Sequence, residues 1–206
     1  MTDRPFAPVS SESVEVVPAG DEPADYRPGD LLLTYGHAWT SRLIRLGQRV
    51  RIQGDDRRYT RWNHAAIVVD ADGSIIEALG AGIQRRNASA YRREDVLVVT
   101  IDASNDDRAQ VVAFCRWAAG ELTPDGRALP DRQGRLRYGW TQIVSIALTL
   151  VTSARFTFAL DGTEICSGLA ARALERSGAI FNRSPSHVMP ADLAKYYDPD
   201  QHPEPT

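Results

Sequence analysis

The chain has 206 residues, 43% hydrophobic and 25% charged, with a formal net charge of −3. That length supports one domain with a sizeable core, and the near-neutral charge removes the electrostatic basis for nucleic-acid binding. Cys115 and Cys166 are the only cysteines, too few for a disulfide framework, and Lys195 is the only lysine among many arginines, a skew that fits a GC-rich bacterial or phage coding sequence.

Residues 1–26 are rich in Pro, Ser, Asp and Glu, so they are expected to be a flexible tail, with the folded domain over 27–197 and a second tail over 198–206. The N-terminal residues carry no apolar core of signal-peptide type, which makes the cytoplasm the expected location, with phage association or a non-Sec release route as the alternative. No transmembrane segment is expected, because the longest apolar stretch, Ile143–Val151, is too short to span a bilayer.

The folded body is expected to open at Arg27-Pro-Gly-Asp-Leu-Leu-Leu, a turn running into an apolar strand. Leu43, Ile44 and Leu46 then stand at helical spacing behind Thr40 and Ser41. The segment from Arg49 to Arg61 reads as a basic loop whose arginines, Arg57 and Arg58 among them, could hold a carboxylate or phosphate of a substrate. Ala65–Val69 and Ser74–Leu79 flank Asp70-Ala-Asp-Gly, a hairpin signal. Strands are expected at Gly82–Arg85 and Val96–Ile101, and helices over 106–122, 140–152 and 164–177, the last stopped by Gly178. Short antiparallel strands set between helices define an α+β fold class.

Cys166 falls where a turn enters a helix, and unpaired N–H groups together with the helix dipole favour thiolate there. Cys115, among Val111, Val112 and Phe114, reads as a small core residue. Strand alternation places His64 and Glu77 on one face of the hairpin in either turn register, and the two read as diagonal neighbours. A carboxylate in the apolar run Ile75–Leu79 needs a partner, and an imidazole oriented by it keeps one nitrogen free for a thiol. The residues thus suggest Cys166 as nucleophile, His64 as general base and acid, and Glu77 as orienter. The Cys166 N–H could stabilise an oxyanion with one further donor, for which Tyr35 and Tyr138 are candidates. His37, His64, Glu77 and Cys166 lack the close spacings of a zinc motif, and no metal or other cofactor is expected. His187 reads as a loop residue.

Pro28-Gly-Asp-Leu-Leu32, Trp62-Asn-His-Ala-Ala-Ile-Val68, Ile76-Glu-Ala78, Gly82-Ile83 and Ile165-Cys-Ser-Gly-Leu169 together resemble the circularly permuted papain-fold hydrolases, the YiiX-type branch of the NlpC superfamily, which also contains the lecithin:retinol acyltransferase group. The resemblance covers about Arg27 to Tyr196. It implies a small antiparallel sheet or half-barrel packed against helices, with His64 as base, Cys166 as nucleophile and Glu77 as the polar third member. Many relatives have Cys-Ser-Glu-Leu where this chain has Cys166-Ser-Gly-Leu169. The function it implies is a cysteine hydrolase (peptidase or amidase) cleaving a peptide bond, with a peptidoglycan stem peptide as candidate substrate. A lipid acyltransferase or esterase acting on an acyl-lipid is the second expectation. A non-catalytic binding module that retains the fold is the third.

Overall fold

The computed structural model describes residues 11–23, 25–36, 39–79, 82–122, 166–179, 181 and 184–198. Its centre is a six-stranded antiparallel sheet in the order β1-β6-β2-β3-β4-β5. The strands are β1 (Ser11–Val17), β2 (Leu31–Thr34), β3 (His64–Val68), β4 (Ser74–Leu79), β5 (Gly82–Asn87) and β6 (Val96–Ile101). The helices are α1 (Trp39–Arg51), α2 (Asn105–Ala118), α3 (Cys166–Leu174) and α4 (Pro190–Tyr196). The fold is therefore α+β, as the pattern of strands and helices implies.

Both faces of the sheet are covered. On one face Leu31, Leu33, Ala65, Ile67, Ile76 and Val99 pack with the apolar sides of α2, α3 and α4. On the other, Leu32, Ala66, Val68, Ile75 and Val98 close over Tyr91 and Val17. This double burial explains why β2 and β3 read as continuous apolar runs rather than alternating ones. In α3 the alanines 170, 171 and 173 and Gly168 are all buried. Side chains this small let the helix axis lie close to the strands beneath it.

The strands and helix ends follow local chemistry. The β3–β4 turn closes through Gly73, whose φ of +79° few L-residues adopt without strain. Ser104 caps α2 by accepting the Asp107 N–H at 3.2 Å. This helix stops at Ala118, short of the expected residue 122, because Gly120 turns into the left-handed region at φ +77°. Gly178, at φ +88°, ends the turn that follows α3, at the position the sequence indicates.

Two expectations are corrected. The first tail, 1–26, is not wholly a tail: Ser11–Val17 adds an edge strand to β6, and Gly20 N–H donates to the Arg92 carbonyl at 2.8 Å. Val14 and Val17, two of the valines in this segment, supply a pleated, partly apolar face that an average over its Pro, Ser and acidic residues hides. The second concerns the basic segment at 49–61. It is the end of α1 followed by a 3-10 helix, Gly54–Arg61, held by Lys195 Nζ on Asp56 at 2.6 Å and by Thr60 Oγ1 on the Arg57 carbonyl at 2.8 Å. At the C-terminal boundary, Asp198 accepts from Arg58 at 3.1 Å and from the Tyr59 phenol, so the packed body extends at least to it. The helix expected over 140–152, with its apolar stretch, and the loop before it lie outside the described residues. Among the described residues, no helix is long and apolar enough to cross a membrane.

Gln48 joins three segments from inside α1. Its amide nitrogen donates to the carbonyls of Thr60 (3.3 Å) and Trp62 (2.8 Å), and its oxygen accepts the Ala191 N–H at 3.0 Å. The side chain is fully buried, so truncation strands three backbone groups away from water. Gln48→Ala is expected to lower the unfolding free energy by about 2–4 kcal/mol in urea titration. A loss below about 1 kcal/mol would mean that water replaces the clasp.

Candidate active site

Asn63 sets the start of β3. This buried side chain accepts from Gly36 N–H at 3.1 Å and donates to the Gly36 carbonyl at 3.1 Å, copying a backbone pairing between the exit of β2 and the entrance of β3. Thr34 pairs with His64 immediately beyond it. With Ala66 opposite Glu77, strand alternation puts His64 and Glu77 on one face, as the hairpin count requires. The contact is direct: His64 Nε2 lies 2.5 Å from Glu77 Oε2.

Glu77 is fully buried and accepts from two further groups. The Tyr91 phenol donates to the same Oε2, and Arg86 Nη1 reaches Oε1 at 3.2 Å. Tyr91 comes from a 3-10 turn, Ala88–Tyr91, whose start is capped by Asn87 Oδ1 accepting the Ser89 N–H at 3.0 Å. Burial favours the neutral carboxyl, but the bond and charge of His64, then Tyr91 and Arg86, hold Glu77 below the ordinary carboxylate range.

Cys166 is the first residue of α3 and is only 6% exposed. Ser167 anchors that first turn by donating to the Val188 carbonyl at 2.7 Å. The thiol is hydrogen-bonded to the His64 ring, and the backbone N–H groups of Ala65 and Ser167 also face it. With Nε2 committed to Glu77, the nitrogen left for sulfur is Nδ1. Ala65 is the last β3 residue before the β3–β4 pairing, which begins at Ala66. Helix α3 lies on the face that carries Ala65, whereas His64 points to the opposite face, so the pair meets around the end of the strand.

The electrostatics run in one direction. Burial opposes a charged imidazole, yet the Cys166 charge and the bonds from Cys166 and Glu77 push His64 up to about 10. Burial likewise opposes a thiolate, but the His64 charge and bond, with the two N–H groups, bring Cys166 below the ordinary thiol value. Both shifts favour a buried thiolate–imidazolium pair backed by a carboxylate. It can attack an electrophilic carbon and return a proton to a leaving group.

The other candidates separate. Tyr35 is half-buried beside the dyad end of β2, with the Arg45 and Arg61 guanidinium carbons 4.7 and 5.6 Å from its ring centre. Arg58 is engaged with Tyr59 and Asp198, and Arg57 is exposed with no ion pair among the described residues. Tyr138 and His37 lie outside the described residues. Among the described residues, no metal-holding group of three His, Cys, Asp or Glu is present. His187 is exposed at the end of a 3-10 turn. Cys115 is fully buried, and burial drives its thiol up, away from reactivity.

The sequence reading missed Arg86 and Tyr91. Arg86 was within reach of the same counting: Glu77 pairs with Gln84, so Arg86 lies diagonally across on the Glu77 face. Tyr91 carries no such signal, because its turn folds back from beyond β5.

Iodoacetamide is expected to alkylate Cys166 and spare Cys115 at neutral pH, with a rate for Cys166 that titrates below the ordinary thiol range, as mass spectrometry of the two tryptic sites would show. Equal labelling of both sites would contradict this. No protein-family model matches the chain, and no curated protein does so either.

Proposed function

We propose that this protein is a thiol hydrolase of the permuted papain-like type, cleaving an amide bond through an acyl-enzyme on Cys166. The carrying observation is the continuous line Cys166–His64–Glu77, built from a helix start and two adjacent strands and set in that geometry by β-sheet register. The order of strand histidine, strand glutamate and helix cysteine supports the resemblance to the NlpC superfamily, as does an antiparallel sheet with the cysteine helix packed on it.

In this mechanism the Cys166 thiolate adds to the scissile carbonyl carbon, and the carbonyl π electrons move to oxygen. The Cys166 backbone N–H, at the start of α3, is suited to bind that oxyanion. Collapse of the adduct breaks the C–N bond while the His64 imidazolium gives its proton to the departing amine. Water then attacks the thioester with His64 as base, releasing the acid and restoring the thiolate–imidazolium pair. Glu77 remains ionised throughout and keeps Nδ1 aimed at sulfur. A peptide of the peptidoglycan stem type is the proposed substrate class.

Incubation with stem peptides and acyl esters, followed by mass spectrometry of Cys166, tests both the chemistry and the substrate. A Cys166 adduct from the peptides supports an amidase, and one from the esters alone redirects the reading to lipid acyl transfer. Cys166→Ala is expected to abolish turnover and His64→Ala to lower kcat by about 10²–10⁴-fold. Activity should fall on the alkaline side as His64 loses its proton near pH 10, because the charged imidazole is the acid form that the leaving group needs. A Cys166→Ala variant with full activity would falsify the proposal.

A further inference from the structure

Glu77 has three side-chain donors, and they are not equivalent. Arg86 serves Oε1 from a side chain that is 38% exposed, where water can take its place. Tyr91 is buried and shares Oε2 with His64. A carboxylate with only one donor can turn about its terminal torsion and exchange its oxygens, letting the imidazole swing with it. The phenol bond removes that freedom from the oxygen that His64 uses. The Tyr91 ring also lies against the imidazole, with centroids 5.7 Å apart and planes at 38°, and so limits rotation of the ring.

We propose that Tyr91 is a positioning residue for the Cys166–His64 pair: its phenol fixes the Glu77 carboxylate so that the imidazole keeps a single orientation against the thiol. The inference rests on the thiol-hydrolase reading of the site and extends it by a fourth member. The groups facing Glu77 are His64 from β3, Arg86 from β5 and Tyr91 from the following turn, while Cys166 of α3 faces the far side of His64. Burial, then the charge and bond of Glu77, hold Tyr91 well above the ordinary phenol value, so it remains an O–H donor wherever the enzyme would work. A buried carboxylate that loses this donor protonates more readily as pH falls, and the imidazolium then loses its counter-charge.

The test is the pH dependence of Cys166 alkylation by iodoacetamide, resolved by mass spectrometry in the full chain. It compares wild type, Tyr91→Phe, and the protein with difluorotyrosine at position 91. Tyr91→Phe keeps the ring against His64 and should raise the acidic midpoint by about one pH unit, the order expected for loss of a charge-assisted hydrogen bond. Difluorotyrosine keeps the shape and is a stronger donor, so its midpoint should fall. If Tyr91→Phe does not fold by circular dichroism, the difluorotyrosine protein decides alone. Superimposed profiles with a reactive Cys166 overturn the role of Tyr91 and leave the hydrolase reading standing. A wild-type Cys166 no more reactive than Cys115 overturns both. A shift in Tyr91→Phe with none in the difluorotyrosine protein shows that donor strength at the phenol does not set the midpoint, and also overturns the inference.

Discussion

A carboxylate taken wholly out of water is the constraint around which the site is organised. Glu77 sits in β4 with no exposed surface, between Ile76 and Ala78. An isolated ionised carboxyl at such a position would cost several kcal/mol and would take up a proton instead. It stays charged because His64, Arg86 and Tyr91 converge on its two oxygens. Each arrives from a different element: β3, β5 and the turn after β5. Replacing Glu77 by an apolar residue would therefore release the imidazole and leave the buried Tyr91 phenol without its acceptor.

The same carboxylate depends on sheet register. A slip of one residue between β3 and β4 would turn His64 to the opposite face from Glu77. The fold guards against that slip on both sides of His64. Beyond it, the buried Asn63 amide clasps both backbone groups of Gly36 and fixes where β2 hands over to β3. Behind that segment, Gln48 holds the Trp62 carbonyl and ties it to the start of α4. Neither amide touches sulfur or carboxylate. Both decide where the strand that bears His64 begins, so local hydrogen bonding in the approach to β3 becomes alignment at the dyad.

What the sequence reveals of this arrangement follows from the range of the forces involved. The β3–β4 hairpin was legible because Asp72-Gly73 and the flanking apolar runs are local signals, and period-two alternation then places His64 with Glu77. The helix carrying Cys166 and the stop at Gly178, which ends the turn after α3, were legible for the same reason. β1 was not, since a short strand among polar residues depends on the open edge of β6, far along the chain. Tyr91 was not either: its bond to Glu77 exists only once a turn beyond β5 folds back over the sheet. Gln48 carries no local signal of its role: nothing in its neighbours marks this polar residue as fully buried.

The two cysteines show how completely location sets thiol chemistry here. Cys115 lies within α2, and its burial, then the Glu121 charge, raise the cost of ionisation. Cys166 is nearly as buried, so exposure does not distinguish them. The difference is a helix start, where the Ser167 N–H turns to the sulfur, placed against a strand end where the Ala65 N–H does the same. Two unfinished hydrogen-bonding patterns, the first turn of α3 and the end of the β3–β4 ladder, meet at one atom. An imidazolium held by Glu77 supplies the compensating charge. The lowering of the Cys166 thiol thus follows from where secondary structure stops, and from the buried carboxylate that favours a charged ring beside it.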